Sequence, residues 1–154
     1  MPEYKAARRI SVYLSMPTGE ISTTSIVRDA LAQGKRVFIP HTYNLQAPIE
    51  GQPRCIMDML ELHSMHDFDS LLPDKWNIPT LSADSIPSRV NSFGGKGVTH
   101  GTITNPSQGL DLIVMPGMAF DTGFGRLGHG KGFYDYFLGR CHDASPVPFR
   151  GKKW

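Results

Sequence analysis

The spacing of apolar and polar residues in the first part of the chain predicts a strand, a helix and a second strand. Apolar side chains alternate with other residues over residues 9–16, which is the period of a β-strand. Over residues 21–33 they recur at helical spacing, and Gly34 is suitably placed to end the helix. The apolar run 36–40 predicts a short buried strand. This order of elements predicts a parallel strand pair joined by a right-handed crossover.

Two further strands are predicted in the middle and later parts of the chain. Cys55–Leu62 alternates in part between apolar and polar residues and predicts a third strand. Residues 65–79 predict a short helix followed by an ordered loop. Residues 80–108 predict a long loop without a core of its own, because Ser, Gly, Thr, Asn and Pro are frequent there. The nearly continuous apolar run 110–116 predicts a central parallel strand covered on both faces.

These elements predict an α/β fold with a mostly parallel central sheet flanked by helices, in a single domain over residues 1–154. The length of 154 residues and the 40% apolar composition suit one compact domain. The net charge of +2 gives no reason to expect a nucleic-acid or anionic-membrane partner, and no apolar run approaches the roughly 20 residues that span a bilayer. Cys55 and Cys141 lack the spacing of a zinc site, so we expect reduced thiols in a cytoplasmic protein.

The candidate chemistry lies in the glycine-rich loop 117–130 and in the helix predicted over residues 131–141, because ligands bind beyond the carboxyl ends of strands in open α/β sheets. The glycines near the helix start leave room for a phosphate to approach backbone amides, and the helix adds the positive end of its dipole. Asp135 follows Lys131 by one helical turn and is a candidate Mg²⁺ ligand. The remaining candidates for phosphate contact are Arg126, Gly128, His129, Gly130 and Gly132.

Other interpretations of this loop stay open. A glycine-rich turn before a helix is often only a turn, and Lys131 and Asp135 have the spacing of a surface ion pair. Residues 125–131 match part of a Walker A loop, but Gly132 stands where a Mg²⁺-binding Ser or Thr belongs. Residues 123–128 spell GxGxxG, but neither a strand nor a helix is predicted where a dinucleotide fingerprint requires one.

A family resemblance narrows these alternatives. The run GRLGHGKGFYD (residues 125–135), preceded by LIVMPGMAFD (112–121), resembles the signature of the 5-formyltetrahydrofolate cyclo-ligase family. Three weaker segments agree with it in the same order. They are residues 9–16 with Glu20 and Ile21 after them, residues 37–40 and residues 76–79. The resemblance covers roughly residues 3–141 and leaves residues 142–154 unmatched.

The resemblance implies a reaction and its partners. In this family, ATP phosphorylates the formyl oxygen of 5-formyltetrahydrofolate, N10 attacks the activated carbon, and loss of phosphate gives 5,10-methenyltetrahydrofolate. The implied cofactors are ATP and Mg²⁺, and the implied partner is a small-molecule folate, without nucleic acid or membrane. We expect a monomer in the cytoplasm, with a mitochondrial form as the alternative.

The resemblance also implies roles for individual residues. Lys131 and Tyr134 are the implied catalytic residues, and Asp135 is the implied Mg²⁺ ligand. The implied ATP-binding set is Arg126, Leu127, Gly128, His129, Gly130, Lys131, Gly132, Phe133 and Tyr134. The implied substrate-binding set is Leu14, Glu20, Met57, Trp76, His129, Gly130, Lys131, Gly132 and Phe133. Leu14 and Met57 lie on predicted strands, where such residues are more often plain core, and Trp76 is compatible with a packing role alone. His129 is equally compatible with a solvent-facing side chain.

The sequence departs from the family at both ends. Members of the family have a basic helix before the first strand, and further strands with a second acidic residue after the signature helix. This sequence begins almost at the first strand, and residues 149–154 match nothing in that later region. We therefore expect reduced or absent catalysis, since lost strands uncover sheet edges and lost cations weaken an ATP site. The alternative is a non-catalytic relative that binds folate or nucleotide, whereas an RNA-binding module is disfavoured by the low charge.

Overall fold

The computed structural model describes residues 1–103 and 109–144. The helices are α1 (Pro2–Ala6), α2 (Thr24–Ala32), α3 (Met65–Asp69) and α4 (Phe133–Ala144), with a 3-10 helix at Ala83–Ser88. The strands are β1 (Arg9–Val12), β2 (Arg36–Asn44), β3 (Cys55–Leu62), β4 (Leu72–Pro73), β5 (Pro79–Thr80), β6 (Leu112–Val114), β7 (Ala119–Phe120) and β8 (Arg126–Leu127).

The main sheet has the strand order β3-β2-β1-β6. Strand β1 is parallel to both of its neighbours, with Ile10 opposite Val37 on β2 and Leu112 on β6. Strand β3 returns antiparallel to β2 along its whole length. The predicted α/β fold, with a mostly parallel sheet flanked by helices, is therefore confirmed.

The two-residue period of the strands divides the core between the two faces of the sheet. On one face, α2 packs Val27 and Ala30 into a cluster with Ile10 and Val37. On the other face, α4 packs Phe137 against a second cluster, in which the largest strand residue is Phe38. Each fully buried side chain of this size contributes about 1.5–3 kcal/mol relative to exposure, so both helices are held mainly by apolar burial.

The predicted central strand at residues 110–116 is an edge strand in the described sheet. Only Leu112–Val114 is extended, and these side chains are half-buried rather than covered on both faces. The centre of the sheet belongs to β1, which pairs on both sides. A continuous apolar run indicates that both faces of a strand are covered by other elements. It does not indicate whether the strand has a hydrogen-bonded neighbour on one side or on both. The prediction of a central position was therefore wrong.

Part of the predicted loop 80–108 contributes to the core. Phe93 is buried with the α4 cluster, and Leu81 is buried on the α2 face. The segment 90–92 runs along the outer edge of β3, where the amide of Glu61 donates to the carbonyl of Val90 at 2.9 Å. The prediction of a loop without a core was wrong for these residues. Their buried neighbours Arg89 and Asn91 are polar but hydrogen-bonded within the fold, so the usual apolar pattern of a core segment is hidden.

Several element boundaries also differ from the predictions. Strand β1 ends at Val12, β2 continues to Asn44, and α4 begins at Phe133 rather than at residue 131. The expected loop after α3 contains the β4–β5 hairpin, and the short helix α1 was not predicted. Within the described ranges, no helix has the length and apolar character needed to cross a bilayer. Both cysteines, Cys55 and Cys141, are unbridged.

Candidate functional site

The candidate site lies beyond the carboxyl ends of β1 and β6. These adjacent parallel strands end at Val12 and Val114, and their pairing continues as the amide of Tyr13 donates to the carbonyl of Val114 at 3.3 Å. The β1–α2 loop and the β6–α4 connection therefore start side by side. This is the sheet edge at which ligands bind in open α/β folds.

The β1–α2 loop is closed by hydrogen bonds that place the carboxylate of Glu20. The amide of Met16 donates to Glu20 Oε2 at 2.7 Å. The hydroxyl of Tyr13 donates to the carbonyl of Ile21 at 3.1 Å, and Thr23 Oγ1 donates to the carbonyl of Tyr13 at 2.6 Å. These bonds tie both ends of the loop to the end of β1, so Glu20 is held close to the sheet edge.

The β7–β8 hairpin presents Arg126 to the start of α4. Its turn is closed by the carboxylate of Asp121, which accepts from the amide of Gly125 at 2.8 Å. A Cβ atom on Gly125 would lie 2.5 Å from Asp121 Oδ2, so no larger residue fits this turn without displacing the carboxylate. The turn also holds Phe124 at φ 64°, a left-handed conformation that is strained for a phenylalanine.

Arg126 connects the hairpin to α4 through its guanidinium group. Nη2 donates to Asp135 Oδ1 at 3.1 Å, and Nη1 donates to the carbonyl of Pro116 at 3.1 Å. The guanidinium carbon lies 5.6 Å from the ring centroid of Tyr134, a distance typical of a cation–π contact. A Cβ atom on Gly128 would lie 2.8 Å from Nη1, so this glycine leaves room for the arginine.

The segment Gly128 to Gly132, which we name the glycine turn, precedes α4. Gly130 and Gly132 adopt φ angles of 77° and 68°, which an L-residue adopts only with strain. Among residues 1–103 and 109–144, the amides of Gly128, Gly130 and Gly132 have no hydrogen-bond acceptor. The turn and the side chain of Lys131 are largely open to solvent. These amides therefore remain available to an anion, helped by the dipole of a 12-residue helix.

Tyr134 occupies a half-buried position between the glycine turn and the Glu20 loop. Burial raises the pKa of its phenol above the ordinary value of 10.0, the positive charge of Arg126 opposes this rise, and Glu20 and Tyr13 add to it. Burial and the charge of Glu20 likewise raise the pKa of Tyr13. The four groups thus share one electrostatic environment, in which Tyr134 is a neutral hydrogen-bond donor at physiological pH.

The other implied substrate residues lie in different surroundings. Leu14 is buried in the α2-face cluster, and Met57 is buried in the α4-face cluster, so their side chains serve different cores. Phe133 packs partly against the α4-face cluster. Trp76 is 63% exposed in the β4–β5 hairpin, with Lys75 Nζ 5.7 Å from its ring centroid. Leu127 and His129 are exposed. The structure thus brings Arg126, Tyr134 and Asp135 into contact, and Glu20 is near enough for its charge to raise the pKa of Tyr134. It places Leu14 and Trp76 in other environments.

The chemistry of the site fits a Mg²⁺ ion that arrives with phosphate. Asp135 is 76% exposed, and the residue that pairs with it is Arg126. In the part of the chain that the structure describes, no group of three His, Cys, Asp or Glu side chains has the arrangement of a metal site. Mg²⁺ is commonly bound by one or two carboxylates together with substrate phosphates and water, so Asp135 alone could supply the protein carboxylate for such an ion.

Tyr13 lies in the candidate site but was not predicted from the sequence. It follows the last residue of β1, on the opposite face of the strand from Ile10 and Val12. One feature of the sequence could have identified it. The alternation of apolar residues in the predicted first strand directs the side chain of Tyr13 toward the α4 face, at the end of that strand. Its contact with the Ile21 carbonyl depends on the path of the following loop, which the alternation does not specify.

The sequence is similar to those of known proteins. The sequence model of the 5-formyltetrahydrofolate cyclo-ligase family matches residues 1–149. The chain is 36% identical over 139 residues to the 5-formyltetrahydrofolate cyclo-ligase of Mus musculus, covering 90% of this chain and 57% of the mouse protein. It is 35% identical over 147 residues to a probable 5-formyltetrahydrofolate cyclo-ligase of Caenorhabditis elegans, covering 93% of this chain and 58% of the relative.

A solved structure supports the same relationship. The NMR structure of Aquifex aeolicus 5,10-methenyltetrahydrofolate synthetase is similar to this fold with a TM-score of 0.53 and 26% sequence identity, covering 91% of this chain and 55% of that structure. The chain therefore spans little more than half the length of the relatives that it matches. Both the sequence match over residues 1–149 and the shared fold show that this chain belongs to the 5-formyltetrahydrofolate cyclo-ligase family.

Proposed function

We propose that this chain carries the phosphate and folate site of a 5-formyltetrahydrofolate cyclo-ligase. The reaction converts ATP and 5-formyltetrahydrofolate into 5,10-methenyltetrahydrofolate, ADP and phosphate. The observation that carries the proposal is that the amides of Gly128, Gly130 and Gly132 have no acceptor among the described residues, in a turn that contains Lys131 and leads into the helix of Tyr134.

The glycine turn and Lys131 would bind the terminal phosphates of ATP. Backbone amides at a helix start donate hydrogen bonds to phosphate oxygens, and the exposed ammonium group of Lys131 adds a point charge. Leu127 and His129 lie in the same exposed run and would border the nucleotide. Phosphoryl transfer needs little covalent help from a protein, so positioning and charge stabilisation by these groups supply the catalysis.

The folate would bind between the Glu20 loop and the first turn of α4. The carboxylate of Glu20 would accept hydrogen bonds from ring N–H groups of the pterin. Phe133 and Tyr134 would offer flat apolar surface, and the neutral phenol of Tyr134 would donate to the formyl oxygen. Met57 would contribute from the α4-face core, against which Tyr134 also packs. Leu14 and Trp76 lie in other environments, and they stay in the proposed substrate set on the family resemblance alone.

Asp135 would hold the Mg²⁺ ion, which supplies charge neutralisation on the phosphates. The ion would compete with Arg126 for this carboxylate, whose Oδ1 accepts from Nη2 at 3.1 Å. The released guanidinium group of Arg126 would then be available to a phosphate oxygen, as expected for an arginine in a phosphate site.

The proposal is tested with the purified 154-residue chain. ATP, Mg²⁺ and 5-formyltetrahydrofolate are mixed with the protein, and the absorbance of methenyltetrahydrofolate is followed. We expect slow turnover that requires both ATP and Mg²⁺. Lys131→Ala should lower the rate by about 10²–10³-fold, the usual cost of removing a group that stabilises transition-state charge. Lys96→Ala, which removes an exposed lysine of the 90–97 turn, is the matched control and should leave the rate unchanged. Equal rates in Lys131→Ala and the wild type would contradict the role of Lys131.

A second candidate is a non-catalytic relative that binds folate or nucleotide. It is favoured by the ion pair between Arg126 and Asp135, which neutralises the proposed metal ligand and one of the proposed phosphate ligands. Isothermal titration with each ligand separates the two functions, because binding without product formation supports the second. For both candidate functions, we propose that the protein is a cytoplasmic monomer with a small-molecule partner. Size-exclusion chromatography would test the monomeric state, and cell fractionation would test the location.

A further inference from the structure

Arg140 is the buried charged residue of α4. Its side chain is 7% exposed, and Nη1 donates to Asp58 Oδ1 at 2.8 Å and to the carbonyl of Met57 at 3.1 Å. Nη2 donates to Thr99 Oγ1 at 2.5 Å. The guanidinium carbon also lies 4.7 Å from the ring centroid of Phe93. A helix side chain thus reaches the backbone of a sheet strand and a fixed carboxylate at once.

The carboxylate that receives Arg140 is itself immobilised. Asp58 is fully buried, and Oδ2 accepts from the amide of Thr99 at 2.6 Å and from Asn91 Nδ2 at 2.9 Å. The hydroxyl of Tyr43 donates to the same oxygen at 3.2 Å. These donors come from β2 and from the segment after the 3-10 helix, so Asp58 is held from several directions. An arginine bound to it is therefore bound to a rigid point of the fold.

Arg140 also continues the backbone pairing along the outer edge of β3. Segment 90–92 supplies the first partners. The amide of Glu61 donates to the carbonyl of Val90, and the amide of Ser92 donates to the carbonyl of Met59, each at 2.9 Å. The next carbonyl along this edge, that of Met57, accepts from Arg140 at 3.1 Å. The guanidinium group therefore replaces the backbone amide that a longer edge segment would have supplied, and it attaches α4 to the strand itself.

We propose that Arg140 is a positioning residue, which sets the height and rotation of α4 against β3 and thereby places Tyr134 and Asp135 beside the glycine turn. The apolar contacts of α4, centred on Phe137, are not directional and permit small sliding or rotation. A guanidinium group bound to a carboxylate and a backbone carbonyl has a defined direction. The inference rests on the proposed function, because the first turn of α4 is the proposed ligand site.

The main test compares two variants that both weaken the packing of a helix. Arg140→Met keeps much of the length and apolar stem but removes the directional bonds. Val27→Ala removes fully buried apolar volume under α2, on the opposite face of the sheet, and it is the control for loss of stability. Nucleotide affinity is measured by isothermal titration with Mg²⁺ and a non-hydrolysable ATP analogue, at a temperature where both variants are folded.

We expect Arg140→Met to weaken nucleotide binding by about 10-fold or more, because displacements near 1 Å are costly in a pre-organised site. Arg140→Lys should recover part of the affinity, and Val27→Ala should bind as the wild type does. Equal affinity in Arg140→Met and Val27→Ala would overturn the inference. If Arg140→Met does not fold, Arg140→Lys against Val27→Ala is the deciding comparison, with weaker binding in Arg140→Lys expected.

A measurement without ligand separates this inference from the proposed function. The amide of Tyr136 donates to the carbonyl of Gly132 at 2.9 Å, so its hydrogen exchange reports the first turn of α4. We expect this amide to exchange faster in Arg140→Met than in Val27→Ala, both relative to the global exchange rate of each variant. Unchanged exchange would refute the positioning role. A wild-type chain that binds no nucleotide, but shows faster exchange in Arg140→Met, would refute the proposed function and support the positioning role.

Discussion

At the scale of single residues, the candidate site is built from groups that restrain each other before any ligand binds. Arg126 pairs with Asp135, lies over Tyr134 and fills the space left by Gly128. Glu20 is held by the amide of Met16. A ligand of the proposed site would compete with these contacts, so its affinity would depend on how many of them it replaces.

The ion pair between Arg126 and Asp135 leads to a prediction about metal dependence. In Asp135→Asn, we expect Mg²⁺ to lose most of its effect on nucleotide affinity, because the proposed metal ligand is gone. Nucleotide affinity without Mg²⁺ should rise by up to about 5-fold, since exposed ion pairs contribute about 0.2–1 kcal/mol and Arg126 is released. Isothermal titration with and without Mg²⁺ measures both effects.

The matched control is Asp143→Asn, which removes an exposed carboxylate later in the same helix. It should leave affinity and metal dependence as they are in the wild type. The same Mg²⁺ dependence in Asp135→Asn and the wild type would exclude Asp135 as the metal ligand.

At the scale of elements, short segments are fixed by charged hydrogen bonds where apolar burial is insufficient. Helix α3 has five residues and no fully buried side chain. Its Asp67 accepts from Arg89 Nη1 and Nη2, each at 2.7 Å, and from the amide of His63 at 2.9 Å. Arg89 also donates to the carbonyl of Glu61 at 2.8 Å. The pair therefore joins α3, the end of the 3-10 helix and β3.

The same pair predicts a pH-dependent stability. The hydrogen bonds from Arg89 are the main cause that lowers the pKa of Asp67 below its ordinary value of 3.8. A carboxylate with a lowered folded-state pKa stabilises the fold above its unfolded-state pKa, and this contribution is lost as the pH falls through the folded-state pKa. At pH 7, Asp67→Asn should lower the free energy of unfolding by about 1.5–3 kcal/mol, the usual range for a charge-assisted hydrogen bond.

Urea unfolding of Asp67→Asn and the wild type across an acidic pH series measures this effect. The difference in unfolding free energy should shrink as the pH falls below 3.8. Asp69→Asn, which changes an exposed carboxylate of the same helix, should show a difference below about 0.5 kcal/mol at every pH. A difference that stays constant down to the lowest pH would contradict the assignment.

At the scale of the whole molecule, one sheet separates two apolar clusters and supports both flanking helices. Phe38 on β2 is fully buried in the α4-face cluster, while its neighbours Val37 and Ile39 belong to the α2-face cluster. The guanidinium carbons of Arg9 and Arg36 lie 4.7 Å and 5.6 Å from the Phe38 ring centroid. A substitution that disrupts β2 would therefore destabilise the apolar clusters on both faces of the sheet.

Phe38→Ala should lower the free energy of unfolding by about 3–5 kcal/mol, because a buried aromatic ring leaves a cavity in a close-packed core. Leu72→Ala is the control, since Leu72 is 60% exposed and its truncation should cost less than about 0.5 kcal/mol. Urea unfolding followed by far-ultraviolet circular dichroism measures both. A loss below about 1 kcal/mol for Phe38→Ala would show that the two clusters are not supported by this strand.

Much of this architecture follows from local patterns in the sequence. The alternation in Cys55–Leu62 predicts β3 with the observed bounds, and the helical spacing before Gly34 predicts α2 to within a few residues. The run of residues 125–135 predicts the region of the candidate site through its resemblance to the family signature, and the roles of its residues stay a prediction. These features depend on neighbours within about ten residues along the chain, so pattern is sufficient to find them.

Only the tertiary structure decided which distant groups meet. Local pattern does not predict that Arg126 pairs with Asp135 across the glycine turn, or that Arg140 reaches Asp58 on β3. It also does not predict that the charge of Glu20 acts on Tyr134. Nor does it place the apolar run at Leu112–Val114 on the edge of the described sheet. Local periodicity determines which face of an element is apolar, whereas strand order and long-range polar contacts depend on how all the elements pack at once.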